Sequence, residues 1–551
     1  MFCYEESPLN PFSRLLVIAI VTLAAAAPQS WKFDFGQGPV KAGYIQVLPT
    51  SLYSKIYASD TVAGYFGFEN WQNTRVTFMD RGGPDSLTRD IIVGSGMNIP
   101  FYFSVNVPEG KYTVSFTIGD QSDTANTTIK TESRRLLVKD LRTGAGQFVT
   151  RSVTVMRRDP AITASRSVSL DYGYGREDPA ICLSWDRKLT FEFNGPRPAI
   201  AGVEIVKVDT GVTLHCAGNS TMVEQEDEPW ASWGQMAPVF FKASVIVNDL
   251  AASGLTSDGF ISQKRLEKIC SVIKPGDYLF FEFGHNDSKL TGWETSMTNT
   301  MKVFNDSAVK HGATMVFVTP VPRRGDTDSA TSVGGSAELV RTSARTLGAK
   351  LLDLNALFLR LKSALGGNSA MAYAHFMAND LWPDQPAIND DTHFSDYGAY
   401  EVARCVAQNG LKSAGLPVYK SLLDTSLFNP ASPDNPLTWT IAYSLDTVYR
   451  HPSGAVKDVP GKTDDRRGPD RSLVVNLTAS AITGIIGGKG SVELAVYALD
   501  GKALLKKRTL VSESPGMLYW KELALLPRGA YLLLAGLNGV RCGSARFTVV
   551  H

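Results

Sequence analysis

The sequence predicts an α/β domain with a parallel sheet, flanked on both sides by β-sandwich domains. The chain has 551 residues, and a single hydrophobic core stops growing at roughly 250–300 residues. Short strands with alternating apolar residues occupy both ends of the chain. Apolar strands that alternate with helix-like segments occupy the middle, which is typical of a buried parallel sheet.

Residues 28–208 are predicted to form the first sandwich. Short segments of period-two alternation follow one another here and are separated by Gly, Pro, Asn and Asp. Such spacing is typical of an all-β domain. The clearest segments are FYFSVNV (101–107), KYTVSFTI (111–118), RSVTVM (151–156) and KLTFEF (188–193).

Residues 209–428 are predicted to form the α/β domain. Its strands are read from the apolar segments VTLHCAG, SVIVNDLA, DYLFFEFG, TMVFVTPV and KLLDLNAL. A helix is expected over about 396–409, because Tyr400, Ala403 and Ala407 share one face and Gly410 follows as a stop. Residues 429–471 are predicted to be a linker, and residues 472–551 a small β-sandwich.

Residues 1–27 are predicted to be a signal peptide. Arg14 precedes the apolar run Leu15–Ala27, and the alanines at its end provide A-x-A cleavage options. The run is shorter than the ~20 residues of a membrane span. We therefore expect an exported protein without a membrane span.

Several function classes are disfavoured by composition and motifs. Lys and Arg total 55 against 54 for Asp and Glu, a net charge of +1 that does not favour nucleic-acid binding. Walker, GxGxxG, HExxH and GxSxG patterns are absent, and no Cys or His cluster has the spacing of zinc ligands. No cofactor and no metal are expected.

Polar residues follow the ends of the predicted parallel strands, where open α/β sheets bind ligands. Ser220 follows the first strand, Gly254 lies after the second, and Asn286 ends the third. Asp390 and His393 precede the last helix and are expected on a tight loop, where an Asp three residues before a His can orient its imidazole.

The segments AGNSTM, AASGLTS, KPGDYLFFEFGHND and DDTHFSDYGAYEVA resemble the four blocks of SGNH (GDSL-type) hydrolases, and among these the rhamnogalacturonan acetylesterases. The resemblance covers about Val212 to Gly415. It implies a flavodoxin-like three-layer fold, a catalytic Ser220 with His393 and Asp390, and an oxyanion hole formed by Ser220, Gly254 and Asn286.

The sequence departs from that family in two blocks. Asn219 stands where the family usually has Asp, which keeps an acceptor oxygen but loses a charge and adds two donors. Ser253-Gly254-Leu255-Thr256 replaces a Gly-Gly-Arg-Ser segment, so sugar preference is open. Trp230 and Trp233 follow the nucleophile and are expected either to stack on a sugar or to pack in the core.

The sequence thus predicts an esterase, secreted or on the surface of a bacterium, that acts as a monomer on acetylated plant polysaccharide. Rhamnogalacturonan is the first expected substrate and acetylxylan the second. A non-catalytic carbohydrate-binding protein on the same scaffold and a lipid esterase remain alternatives. The N-terminal segments WKFDFGQG (31–38) and KLTFEFNGPRPAIAGVEIVKVD (188–209) resemble galactose-binding-like domains. The C-terminal segments VELAVYALDGKALLKK and LPRGAYLLLAGLNG resemble sorting domains that address proteins to bacterial type IX secretion machinery.

Overall fold

The computed structural model describes residues 29–48, 50–53, 63–69, 75–170, 182–327, 331–376 and 388–444, and the backbone of strands between 473 and 549. The predicted signal peptide, residues 1–27, lies outside this part of the chain. In the described residues, no helix combines the length and the apolar character that crossing a membrane would require.

Two sheets build the N-terminal domain. One has the strand order β11-β8-β15-β1-β2, with β6 paired to β15 and β5 to β6, and the other has the order β10-β9-β14-β7-β4-β3. The elements are β1 (Ser30–Phe35), β2 (Ile45–Val47), β3 (Leu52–Tyr53), β4 (Phe66–Glu69), β5 (Val76–Asp80), α1 (Ser86–Arg89), β6 (Asp90–Gly94), β7 (Phe101–Asn106), β8 (Gly110–Asp120), β9 (Ala125–Thr131), β10 (Arg135–Thr143), β11 (Gln147–Arg157), β12 (Ala161–Thr163), β13 (Arg166–Ser167), β14 (Lys188–Arg197) and β15 (Ala199–Val208).

Aromatic side chains fill the space between these sheets. Phe33 of one sheet meets Phe103 of the other edge-on, with ring centroids 5.1 Å apart. Phe116 and Phe191 make a second such contact at 5.4 Å. All four rings are fully buried, so alternate residues of both sheets point into one shared core, as in a β-sandwich.

The second domain contains a five-stranded parallel sheet of order β17-β16-β18-β19-β20. Its strands are β16 (Val212–Gly218), β17 (Val245–Asp249), β18 (Tyr278–Glu282), β19 (Thr314–Val318) and β20 (Lys350–Leu352). These positions confirm the predicted apolar strands, with one correction. KLLDLNAL is a strand only at its start, because the Asp353 carboxylate accepts a bond from the Ala356 N–H and begins a helix at Leu354.

Helices cover both faces of this sheet, which confirms the three-layer fold that the resemblance implies. Phe280 of β18 packs with Val402 on one face, whereas its neighbour Phe281 contacts Phe304 on the other. The helices are α2 (Trp233–Met236), α3 (Ser257–Ser262), α4 (Arg265–Val272), α5 (Trp293–Lys310), α6 (Gly334–Thr346), α7 (Leu354–Leu365), α8 (Asp396–Cys405) and α9 (Leu411–Ser413).

The helix expected over about 396–409 is present. Ser395 caps α8 by accepting a bond from the Gly398 N–H, and a π-helical turn, Val406–Gly410, extends it. Just before it, β21 (Tyr373–Phe376) and β22 (Ile388–Phe394) form an antiparallel pair.

Part of the predicted linker packs against the body of the protein. Ile441 and Ala442 are fully buried, and the Lys130 ammonium donates to the Ala442 carbonyl at 2.7 Å and the Ser444 hydroxyl at 2.8 Å. The end of the segment 429–444 is therefore buried against the N-terminal domain. Residues 445–471 lie outside the described part.

The C-terminal strands form two sheets, of order β23-β24-β27 and β26-β25-β28-β29. They are β23 (Leu473–Leu477), β24 (Ile482–Ile486), β25 (Gly490–Ala498), β26 (Ala503–Val511), β27 (Gly516–Trp520), β28 (Gly529–Leu537) and β29 (Val540–Val549). Antiparallel pairing within each sheet agrees with the strand-rich pattern of this region.

Candidate active site

Ser220 lies just beyond the carboxyl end of β16, which pairs with β17 on one side and with the central strand β18 on the other. The strand ends at Gly218, where a Cβ would come within 2.7 Å of the Met222 sulfur and 3.1 Å of the Glu282 carbonyl oxygen. A side chain at residue 218 would therefore crowd Met222 and the neighbouring strand β18. Ser220 is 6% exposed, and its carbonyl accepts a bond from Gln225 Nε2 at 2.8 Å.

Ser220, His393 and Asp390 form a continuous line of hydrogen bonds. Ser220 Oγ lies 2.7 Å from His393 Nε2, and His393 Nδ1 lies 2.7 Å from Asp390 Oδ2. Because a carboxylate can only accept, Nδ1 carries the proton and Nε2 accepts from the serine hydroxyl. The structure thus joins three side chains that the sequence separates by up to 173 residues.

Asp390 is held by backbone as well as side-chain donors. Its Oδ1 accepts from the N–H groups of Thr392 at 2.9 Å and His393 at 3.0 Å. Burial opposes ionisation of this carboxyl, but the hydrogen bonds from His393 and Thr392 outweigh it and lower the pKa of Asp390. The Asp-x-x-His segment lies on strand β22 rather than on the tight loop expected from the sequence.

The predicted oxyanion donors Gly254 and Asn286 are neighbours. Asn286 Nδ2 donates to the carbonyl of Leu255 at 3.1 Å, which leaves its second amide hydrogen for a substrate. Gly254 has φ +81°, and a Cβ built there would meet no atom within 4 Å. The backbone of Gly254 therefore borders open space beside the Asn286 amide.

Asn219 lies in a buried polar cluster next to Ser220. Its Oδ1 accepts from the backbone N–H of Thr221 at 3.2 Å and from the Thr221 hydroxyl at 3.0 Å. That hydroxyl also lies 3.0 Å from Glu282 Oε1. Asn219 Nδ2 is buried without a partner among the described residues. The amide thus retains the acceptor role expected of it, and its NH2 group is unsatisfied within the described part of the chain.

Glu282 is a second carboxyl in this cluster. Burial raises its pKa to about 7, although donors from Trp233 and Thr221 oppose the rise. The Trp233 indole donates to Glu282 Oε2 at 2.7 Å. Below pH 7 the carboxyl is therefore mostly protonated, which limits charge beneath Ser220.

Comparisons with known proteins agree with this geometry. The model of the GDSL-like lipase/acylhydrolase family matches residues 216–400. Rhamnogalacturonan acetylesterase RhgT of Bacillus subtilis (strain 168) is 34% identical over 221 residues, which are 38% of this chain and 94% of that protein. The chain belongs to the GDSL-like lipase/acylhydrolase family. Its α/β domain is therefore that of an ester hydrolase.

A second relative also spans the N-terminal region. The uncharacterized esterase YxiM of Bacillus subtilis (strain 168) is 26% identical over 412 residues, 72% of this chain and 94% of that protein. A crystal structure of YxiM aligns with 71% of this chain and 99% of its own, at 23% identity and a TM-score of 0.36.

Of the two tryptophans considered for sugar stacking, Trp233 is excluded. It is 2% exposed and packs in the core of the GDSL domain, so the sugar-binding alternative is wrong for this residue. Trp230 is half-buried, and its indole Nε1 donates to Asp390 Oδ2 at 3.0 Å. Sequence reasoning missed this contact because 160 residues separate the two positions.

Sequence reasoning also missed the cationic side chains beside Asn286, Asp391 and Thr392, a region that we call the entrance of the GDSL site. Arg323 donates to the Thr392 hydroxyl at 3.3 Å, Arg324 pairs with Asp391, and Lys289 donates to Asn286 Oδ1 at 3.0 Å. The described residues contain no group of three or more His, Cys, Asp or Glu side chains that could hold a metal ion.

Proposed function

We propose that this chain is a secreted carbohydrate esterase that releases acetate from rhamnogalacturonan through an acyl-enzyme on Ser220. The observation that carries the proposal is the bonded line Ser220–His393–Asp390, at 2.7 Å in both links. It occurs in a member of the GDSL-like family whose relative RhgT is named a rhamnogalacturonan acetylesterase. The apolar run Leu15–Ala27 supports secretion.

In the acylation step, Ser220 Oγ attacks the acetyl carbonyl carbon while His393 Nε2 takes the hydroxyl proton. Asp390 keeps the imidazole in the required tautomer and stabilises the imidazolium. The N–H groups of Ser220 and Gly254 and the amide of Asn286 stabilise the oxyanion, each contributing about 3–4 kcal/mol to lowering the barrier. The sugar oxygen then leaves with the proton from His393.

In the deacylation step, a water molecule replaces the sugar as the nucleophile. His393 removes a proton from the water as its oxygen attacks the acetyl-enzyme carbonyl, and the same proton returns to Ser220 Oγ as that oxygen leaves. One ester bond and one water molecule thus yield a free sugar hydroxyl and acetate. Ser220, His393 and Asp390 return to their starting protonation states.

Charge around the entrance supports an acidic polysaccharide as substrate. Among the described residues, the cations Lys289, Arg323 and Arg324 lie here, and Asp391 pairs with Arg324. Rhamnogalacturonan carries a carboxylate on every galacturonate unit, whereas the xylan backbone is neutral. Guanidinium groups pair well with such carboxylates, so the entrance favours rhamnogalacturonan over acetylxylan.

The test is acetate release from acetylated rhamnogalacturonan and acetylated xylan. Replacing Ser220→Ala should lower kcat by about 10⁴-fold or more. Ser271→Ala, on the exposed side of α4, is the matched control and should retain full activity.

Each alternative function has its own outcome in this assay. Equal activity of the wild type and Ser220→Ala would refute the enzyme and leave a carbohydrate-binding protein. Faster release from xylan would transfer the proposal to acetylxylan, and a preference for long-chain aryl esters would indicate a lipid esterase.

A further inference from the structure

The N-terminal sandwich reaches into the GDSL domain beside the active site. Its β9–β10 hairpin, through the turn residues 132–134 and Arg135 at the start of β10, contacts residues 219–232, which contain Ser220 and which we call the nucleophile loop. Glu132 and Arg134 of the hairpin turn have φ values of +52° and +63°. Such angles are unfavourable outside glycine and persist where surrounding contacts determine the backbone.

Arg134 is the centre of this contact, and its side chain is 1% exposed. Its guanidinium donates to the carbonyl of Trp230 at 2.6 Å and to that of Gln225 at 3.4 Å. The other terminal nitrogen donates to Asp396 Oδ1 at 2.9 Å and pairs with Glu228. One side chain therefore joins the nucleophile loop to the first turn of α8.

The residues that Arg134 contacts lie next to the three residues of the hydrogen-bonded line, Ser220, His393 and Asp390. Gln225 donates to the carbonyl of Ser220 at 2.8 Å, and the indole of Trp230 donates to Asp390 at 3.0 Å. Asp396 lies three residues after His393. The Arg134 fork thus touches the neighbours of Ser220, His393 and Asp390 without touching the reacting atoms.

The remaining hairpin contacts hold the same loop. The backbone carbonyl of Ser133 accepts from Gln235 Nε2 at 2.8 Å, and that amide also donates to Gln225 O at 2.8 Å. Arg135 donates to Glu224 Oε1 at 2.7 Å, and Arg158 donates to Glu224 Oε2 at 3.2 Å.

The charges in this contact are balanced by pairing. Burial opposes ionisation of Glu224, but Arg135 and Arg158 outweigh it and lower the pKa of Glu224 to about 2. Burial and the neighbouring Glu228 raise the pKa of Asp396. Burial opposes ionisation of Glu228, but Arg134 and Lys130 outweigh it and lower the pKa of Glu228 to about 2, so Glu228 is the ionised partner of Arg134.

We propose that Arg134 is a positioning residue for ester hydrolysis, supplied by the N-terminal sandwich to align Ser220 with His393 and Asp390. This inference rests on the ester chemistry proposed above. It makes the sandwich a part of the active site's framework rather than a detachable sugar-binding module. A guanidinium is required because only its planar fork reaches carbonyl and carboxylate oxygens on separate elements.

The test compares Arg134→Lys with wild type on 4-nitrophenyl acetate, using the full chain. The substitution keeps the buried positive charge but removes the fork, and a small misalignment of reacting groups lowers rate steeply. We expect kcat to fall about 10- to 100-fold while KM stays within about twofold, because this small ester does not contact Arg134.

Arg197→Lys is the matched control. Arg197 is also a bridging guanidinium of the sandwich, with bonds to Asp120 Oδ2 at 2.5 Å and Thr124 O at 2.5 Å. The Arg197→Lys substitution should leave kcat unchanged even where it lowers the melting temperature.

If Arg134→Lys does not fold, the charge-balanced pair Arg134→Met with Glu228→Gln serves instead, with the same expected fall in kcat. A folded variant with wild-type kcat, or an equal loss of kcat in Arg197→Lys, would overturn the inference. Absence of ester hydrolysis by the wild type would refute the proposed function instead.

Discussion

The hydrogen bond from the Trp230 indole should influence the pH of the acid limb of kcat/KM, and Trp230→Phe tests this. The indole N–H donates to the same oxygen, Asp390 Oδ2, that binds His393 Nδ1, at 3.0 Å and 2.7 Å respectively. Phenylalanine keeps a ring in place but cannot donate. Removing the donor leaves more negative charge on that oxygen and stabilises the imidazolium form of His393.

The size of the effect follows from the bond and its exposure. A hydrogen bond to a charged group contributes about 1.5–3 kcal/mol. Asp390 and His393 side chains are 23% and 30% exposed, so solvent screening reduces the effect to about 1 kcal/mol. At 1.36 kcal/mol per pH unit, the acid limb of kcat/KM should move up by about 0.5 to 1 unit.

The assay is the pH profile of kcat/KM on 4-nitrophenyl acetate for wild type and Trp230→Phe. Trp439→Phe is the control, because Trp439 is also half-buried but packs against Tyr397 and Tyr400. An unmoved or downward-shifted acid limb in Trp230→Phe would refute the reasoning. So would an equal shift in the control.

Further predictions concern the nucleophile's surroundings. Asn219→Asp should give equal or greater turnover, because the acceptor oxygen remains and the unpartnered amide donor is removed. Gly254→Ala should cost about 1 kcal/mol of stability, since its φ is +81°, but lower kcat/KM about tenfold or more, because the new methyl enters the space for substrate. Burial raises the pKa of Glu282 from 4.5 to about 7, so the folded form holds a proton that the unfolded chain has lost. Glu282 should therefore contribute about 3 kcal/mol of stability that is lost as pH rises from 4.5 to 7, and Glu282→Gln should make the pH slope of stability shallower by about that amount.

Steady-state kinetics and urea unfolding at pH 5 and pH 8 measure these effects. A large fall in turnover for Asn219→Asp would show that the loop is adapted to the amide. If Gly254→Ala lowers activity only as much as its loss of folded protein explains, the new methyl lies outside the substrate space. A Glu282→Gln variant with the wild-type pH slope would assign that slope to other groups.

The arrangement of the first two domains bears on how such esterases are built. RhgT matches 38% of this chain, whereas YxiM matches 72% of it. In the described structure, Arg134, Arg135 and Arg158 of the sandwich all bond to the nucleophile loop or its carboxylates.

The order of the strands and the chemistry-bearing residues could be predicted from the sequence. Each strand has a local apolar pattern, and Ser220, Asn286 and His393 stand at strand ends or before a helix, where neighbouring residues mark them. Two places where the structure differs from the sequence-based expectations also have local causes. Asp353 ends β20 early by capping the next helix, and Asp390 with His393 lies on β22 between residues that pair with β21 on either side.

What the sequence by itself determined was therefore the domain order, the parallel strands and the residues able to carry ester chemistry. Only the tertiary structure decided that Trp233 is buried under Glu282, that Trp230 bonds to Asp390, and that Arg134 reaches across 262 residues to Asp396. The physical reason is the range of the forces involved. Hydrophobic periodicity acts between residues close in the chain, whereas these polar contacts exist only after two separately built cores meet and exclude water from the surface between them.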